Sequence, residues 1–179
     1  MRNLRAWFVL LCSLGVFMLA LAPDRVIAGR DEDDRVRMQD DCDPSDAAWA
    51  PTGGCLLHKG NVTEAEFRVF SFMTTGSPLV ASVIGHPAWR NDPGFVIVSP
   101  GEELKVVNAG GRNHSFTEVA NFGGGVVPPL NAGLTPAPQC AGLQVIPPGE
   151  RSDIQGLSAG LHRFQCCFHP WMRTVVSVE

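Results

Sequence analysis

Three side chains that can bind a soft metal ion follow one another at intervals of three residues near the end of the chain. They are Cys166, His169 and Met172, and Pro170 lies within the same short loop. A thiolate, an imidazole and a thioether so spaced can converge on one ion, and the soft sulfur ligands favour copper over zinc. The loop therefore predicts part of a copper site.

A second imidazole is needed, because a trigonal copper site of this kind takes one Cys, two His and a weakly bound axial Met. His114 is the natural candidate, since it begins a strand-like run directly after the Gly-rich turn at 108–113. The predicted metal ligands are therefore His114, Cys166, His169 and Met172, with one copper ion as cofactor. Zinc is a weaker alternative, because structural zinc sites commonly use paired Cys or His motifs.

Short β-favouring runs separated by turn-forming residues must position these ligands. The runs are 79–84, 94–98, 103–108, 114–119, 143–146, 152–154, 160–166 and 174–178. With 19 Gly, 14 Pro and 18% charged residues in 179, the composition argues against a helical bundle and predicts an all-β domain. Seven to eight short strands are typical of an antiparallel sandwich or barrel. The sequence shows no alternation of helices and strands, so it does not predict a nucleotide-binding sheet.

From about residue 95 to the C-terminus the chain resembles the cupredoxins, the small blue-copper proteins. His114 and the Cys-x2-His-x2-Met loop carry the likeness, and the Pro after His169 makes the loop similar to that of amicyanin. The resemblance implies a Greek-key β-sandwich that carries single electrons. An enzyme is not expected, because four protein ligands leave no open position for a substrate. Ser115 stands where relatives often have an Asn that ties the two ligand loops together.

The resemblance also implies where electrons would enter and leave. In relatives, the ring edge of the second His reaches the surface, so a redox protein partner is expected to dock transiently around His169. The protein itself is expected to be a monomer. The residues that could form an apolar patch there are Val126, Pro128, Pro129, Pro170 and Trp171. Trp171 could instead pack inward, and both orientations remain open.

The N-terminus predicts export. Residues 1–28 have a basic start, an apolar run at 6–22 and a small residue, Ala28, before Gly29, as a secretory signal peptide does. A retained membrane anchor is the open alternative. The protein is therefore expected in a periplasm or outside the cell, and the net charge of −4 gives no sign of a nucleic-acid partner.

Export places the cysteines in an oxidising compartment, where disulfides form. After signal removal five remain, at positions 42, 55, 140, 166 and 167. Side chains alternate along a strand, so Cys166 shares the face of Phe164 while Cys167 points away. Cys166 is therefore the expected free thiol. Cys42 with Cys55 and Cys140 with Cys167 are the preferred disulfides on proximity, and the other two pairings remain open.

The segment before the predicted copper domain at 79–179 is harder to interpret. Residues 29–46 are rich in Asp and Glu and predict a mobile acidic arm, with a calcium site as the alternative. Residues 47–78 predict a disulfide loop and a short helix that begins at the capping box Thr63–Glu66. Two other functions remain open: a copper carrier or chaperone without redox cycling, and a metal-free adhesion module.

Overall fold

The computed structural model describes residues 35–52, 55, 60–67, 88–130 and 134–179. The predicted signal peptide and the strand-like run at 79–84 lie outside the described residues, and so does the predicted helix beyond residue 67. Among the described residues, no helix has both the length and the apolar character needed to cross a membrane.

In the part of the chain that the structure describes, eight strands form two four-stranded sheets. They are β1 (Arg35–Asp40), β2 (Trp89–Asp92), β3 (Phe95–Val98), β4 (Leu104–Asn108), β5 (Thr117–Glu118), β6 (Arg151–Ile154), β7 (Gly160–Gln165) and β8 (Arg173–Val178). The strand orders are β2-β1-β4-β6 and β3-β8-β7-β5. The predicted all-β sandwich is confirmed. The sheets are mixed rather than antiparallel, because β1 runs parallel to β4 and β3 runs parallel to β8.

The core lies between the two sheets, and the period-2 pattern of the strands explains it. In β4 the buried residues alternate with half-buried ones, and β8 shows the same pattern. The first sheet contributes buried residues such as Val36 and Leu104, and the second contributes Phe164 and Val176. Burial of these apolar side chains holds the sheets together.

The N-terminal segment differs from the expected mobile arm. Arg35–Asp40 is strand β1, hydrogen-bonded between β2 and β4. Val36, Met38 and Asp40 point inward and are at most 2% exposed, while the residues between them face outward. The alternation of apolar residues outweighs the acidic composition of the surrounding stretch. The predicted boundary at residue 79 therefore leaves out one strand of the sandwich.

Two predicted strands are shortened, and β2 is a second strand, besides β1, that was not predicted. The run 114–119 is paired as a strand only at Thr117–Glu118, and 143–146 contributes a single bridge between Ile146 and His114. β2 was missed because its sequence, Trp-Arg-Asn-Asp, is mostly polar. The capping box is present, since Thr63 N donates to Glu66 Oε2 at 2.8 Å and Glu66 N donates to Thr63 Oγ1 at 3.2 Å.

Candidate metal centre

Three of the four predicted ligands converge at one end of the sandwich. Cys166 Sγ lies 3.7 Å from His114 Nδ1 and 3.8 Å from His169 Nδ1, and the two Nδ1 atoms are 3.2 Å apart. All three side chains are buried, with His169 the most exposed at 5%. One thiol sulfur and two imidazole nitrogens facing a common point form a set of donors that fits a copper ion.

His114 is held by the loop that precedes it. Its backbone pairs with Ile146 in both directions, at 3.2 and 2.8 Å. The side chain of the fully buried Asn108 donates to the carbonyls of Arg112 and Ile146 at 2.6 and 2.7 Å, and it accepts from Gly110 N at 2.9 Å. The side-chain amide of Asn108 therefore stabilises the turn that orients the His114 imidazole.

The second ligand loop joins β7 to β8 and is closed by two backbone hydrogen bonds. Met172 N donates to the His169 carbonyl, and Cys166 N donates to the Met172 carbonyl, both at 2.9 Å. Met172 is fully buried within this loop. The structure thus places its backbone against the two other ligands of the loop, and its role as the axial ligand stays a prediction.

Ser115 links the two ligand loops. Its backbone N–H donates to Cys166 Sγ at 3.4 Å, and its hydroxyl oxygen accepts from Cys167 N at 2.8 Å. Thr117 Oγ1 donates to the same hydroxyl at 3.1 Å. The shorter Ser side chain therefore makes a tie between the loops of the kind expected at this position.

Cys166 and Cys167 face opposite ways, as the strand alternation predicts. Cys166 is free and buried at the site, whereas Cys167 is bonded to Cys140. Cys167 belongs to a separate apolar cluster with Val119 and Ala137. The other disulfide joins Cys42 and Cys55, so both preferred pairings are present.

The backbone of Gly125 lies too close to that of Cys167 to leave room for a side chain on Gly125. Val126 N donates to the Cys167 carbonyl at 2.7 Å. A Cβ on Gly125 would lie 2.0 Å from that carbonyl oxygen, well inside van der Waals contact. Glycine at this position lets the segment before Val126 press against the ligand loop.

Asp40 is a residue of the site that the sequence reasoning missed. It is 2% exposed, and its Oδ1 lies 2.5 Å from His114 Nε2, on the opposite side of the ring from the atom that faces Cys166. The signal that could have identified it is the alternation Val36, Met38, Asp40, which places an acid inward at the end of a strand.

The surroundings of each ligand shift its pKa. Burial alone would lower the pKa of His114, but the hydrogen bond to Asp40 and the contact with Cys166 raise it to about 9. Burial lowers the pKa of His169. Burial alone would raise the pKa of Cys166, but its contacts with His114 and His169 bring it well below its ordinary value. The site therefore favours the thiolate, the form that binds metal.

His169 is covered by aromatic rings rather than exposed within a surface patch. The Trp89 ring stacks on it at 5.2 Å and 9°, and the Trp171 ring lies 5.6 Å away at 62°. Trp171 is 2% exposed, so it packs inward, and Pro170 is also buried. Of the residues expected in the patch, these two are therefore inside the protein. Val126 and Pro128 are exposed.

A cavity of about 360 Å³ lies beside His169. Its lining includes Arg112, Val127, Leu130 and Phe168, contributed by the two ligand loops and the 126–130 segment. The small accessible part of His169 belongs to this lining.

The remaining histidines lie away from these donors or outside the described residues. His162 pairs with Glu118, with Nδ1 and Oε1 2.7 Å apart, and its Nε2 lies 2.8 Å from the Ser158 carbonyl oxygen. His58 and His86 lie outside the described residues.

Comparisons with known proteins give a structural likeness only. No protein-family model and no curated protein matches the chain. A purple cupredoxin from Nitrosopumilus maritimus is 15% identical, over 55% of this chain and 90% of that one, with a TM-score of 0.38. Amicyanin from Paracoccus versutus is 19% identical, over 53% and 77%, with a TM-score of 0.37. A Cu(I) form of an amicyanin mutant is 19% identical, over 50% and 73%, with a TM-score of 0.36.

These structural neighbours are cupredoxins. They come from the family that the ligand loop of this chain resembles. Because the identities and TM-scores are low, the roles of individual residues rest on the geometry of this chain and not on superposition with a cupredoxin.

Proposed function

We propose that the protein is an exported type 1 copper protein that carries one electron at a time between redox partners. The convergence of Cys166 Sγ with the Nδ1 atoms of His114 and His169 supports the proposal most directly. Met172, buried in the same loop, is proposed as the weak axial ligand. Bound copper would supply the one-electron couple between Cu(I) and Cu(II).

The support for electron transfer rather than catalysis is the rigidity and burial of the donors. The two ligand loops are tied to each other through Ser115 and are closed by backbone hydrogen bonds. Ligands held in this way move little when the charge of a bound ion changes. The donors are also buried, which suits a carrier that takes up no substrate at its metal.

We propose that the redox partner docks transiently over the cavity beside His169. The lining contains the accessible part of His169, and exposed Val126 and Pro128 lie in the adjoining 126–130 segment. A small face of this kind, in which Arg112 lies beside apolar residues, suits brief association of a monomer with a partner. Electrons would then pass through the imidazole of His169.

Copper loading of the purified protein tests the proposal. We expect an intense visible absorption from the thiolate bound to Cu(II), together with reversible one-electron voltammetry. Cys166→Ser should abolish the colour. A matched control is the double variant Cys140→Ser and Cys167→Ser, which removes two nearby sulfurs on the other face and should retain the colour.

The outcomes separate the proposed function from its rivals. A colourless wild type that binds only Cu(I) would instead support the copper carrier. Unchanged metal content in Cys166→Ser would reject a copper site at this position. The result would then favour the metal-free adhesion module.

A further inference from the structure

The carboxylate of Asp40 brings the N-terminal strand into the candidate metal centre. Its Oδ1 lies 2.5 Å from His114 Nε2, and its Oδ2 accepts from Gly111 N at 3.0 Å and from Arg112 N at 2.9 Å. Asp40 and His114 are both at most 2% exposed. The residue is therefore bonded to a ligand and to the turn that carries that ligand.

The chemistry of these partners determines which ring nitrogen of His114 carries the proton. An ionised carboxylate only accepts hydrogen bonds, so His114 Nε2 must be the donor. A metal ion binds the neutral imidazole, after any proton on Nδ1 has left, and in that form Nδ1 has a free lone pair. Nδ1 is the atom that lies 3.7 Å from Cys166 Sγ and 3.2 Å from His169 Nδ1. Asp40 thus orients the lone pair toward the other two donors.

We propose that Asp40 is a positioning residue for copper, which fixes the Nε2–H form of His114 and strengthens Nδ1 as a ligand. This inference rests on the proposed function. A carboxylate that accepts from the distal nitrogen raises the basicity of a metal-binding imidazole. A more basic ligand and a nearby negative charge favour Cu(II) over Cu(I). Asp40 therefore lowers the reduction potential of the site.

Asp40→Asn tests the inference through the reduction potential. Asn has one acceptor oxygen and an NH2 donor, so it cannot accept from all three N–H groups at once. We expect Cu(II) affinity to fall about 10- to 100-fold with little change for Cu(I). At 59 mV per tenfold for one electron, the potential should rise by about 60–120 mV.

Asp41→Asn is the matched control. Asp41 is the next residue, and its half-exposed carboxylate lies 3.5 Å from Arg90 Nη1. The control removes the same charge from the neighbouring position, so a general electrostatic effect would appear in both variants. We expect its potential to stay close to that of the wild type.

Asp40→Glu and Gly110→Ala separate positioning from folding. Asp40→Glu keeps the charge, so its reduction potential should lie between those of the wild type and Asp40→Asn. A Cβ on Gly110 would lie 2.6 Å from the carboxyl carbon of Asp40, so Gly110→Ala displaces the carboxylate while its charge remains. We expect a smaller rise in potential than for Asp40→Asn. Gly142→Ala, where a Cβ meets nothing within 4 Å, is the control.

A second readout is the ¹⁵N and ¹H NMR spectrum of His114 in the protein loaded with Cu(I). This form is accessible under either function, because a copper carrier would also bind Cu(I). We expect a proton on Nε2 with the downfield shift of a strong hydrogen bond, and a weaker shift in Asp40→Asn. An unprotonated Nε2, or equal potentials in Asp40→Asn and Asp41→Asn, would overturn the inference while the proposed function stands. A wild type without colour rejects the proposed function, and the His114 proton still decides the role of Asp40.

Discussion

The two imidazoles of the candidate centre are held by opposite kinds of surroundings. His114 is fixed by a polar network. Asp40 accepts a hydrogen bond from its Nε2, and the side chain of Asn108 holds the preceding turn through hydrogen bonds. His169 is fixed by packing, between the ring of Trp89 at 5.2 Å and that of Trp171 at 5.6 Å.

This difference assigns separate tasks to the two sides of the site. The carboxylate raises the pKa of His114, whereas burial lowers the pKa of His169. The polar side therefore sets the charge and the orientation of the candidate ligand His114, and the aromatic side excludes water and supplies packing energy. Substitutions on the aromatic side should act mainly on stability.

The largest expected effect is on the aromatic side. Trp89 is 2% exposed and contacts the rings of Trp49, Phe67 and Trp171 as well as His169. Trp89→Ala should lower the free energy of unfolding by about 3–5 kcal/mol, because it leaves a large cavity among packed rings. Chemical denaturation monitored by circular dichroism measures the change.

Trp89→Phe is the control for this substitution. It keeps a ring beside His169 and removes less volume, so it should cost less than half of the alanine variant. A loss of under about 1 kcal/mol for Trp89→Ala would contradict the assigned role, since truncation of a packed buried aromatic residue costs more.

On the polar side, two buried asparagines provide a matched pair. Asn108 makes three hydrogen bonds through its side chain. The side-chain amide of Asn91, which is 7% exposed, has no hydrogen-bond partner among the described residues. Asn108→Ala should cost about 2–3 kcal/mol, because it removes three hydrogen bonds and takes the Asn108 partner from the Arg112 carbonyl and the Gly110 N–H. Asn91→Ala removes the same atoms and should cost at least about 1 kcal/mol less, since it breaks no such bond.

Equal losses of unfolding free energy in the two alanine variants would show that the Asn108 network adds nothing beyond side-chain volume. The same denaturation experiment used for Trp89 measures both variants. A selective loss in Asn108→Ala would also be expected to loosen the turn before His114, which hydrogen exchange of the Gly110 amide can detect.

The ligand loop could be proposed from the sequence because its chemistry is local. Cys166, His169 and Met172 lie within seven positions, and their types and spacing are informative before any fold is known. His114 needed one further step, a strand start after a turn. Both disulfides were preferred on proximity alone, and both are present.

The residues that surround the ligands could not be predicted in the same way. Asp40 is separated from His114 by 74 positions, and only the parallel pairing of β1 with β4 brings them together. Trp89 lies on the short polar strand β2, whose inward face depends on its antiparallel pairing with β1. The acidic composition of residues 29–46 indicated a mobile arm, although the alternation of Val36, Met38 and Asp40 within them is the pattern of a strand.

The smallest expected effect comes from a second carboxylate–histidine pair, which lies at the surface. Glu118 is 52% exposed and its hydrogen bond raises the pKa of His162 above 6.5, with the Ser158 carbonyl adding to the shift. Because the folded pKa is raised, the pair stabilises the protein below pH 6.5, and this contribution is lost as the pH rises through the folded value. His162→Gln should therefore cost about 0.5 kcal/mol at about pH 5.5 and less at about pH 8.5. Thermal unfolding of both proteins at the two pH values measures this, and Glu118→Gln should reproduce the pattern. An equal cost at both pH values would show that His162 contributes through packing and not through its charge. The difference between this pair and the buried Asp40–His114 pair could then not be attributed to solvent exposure.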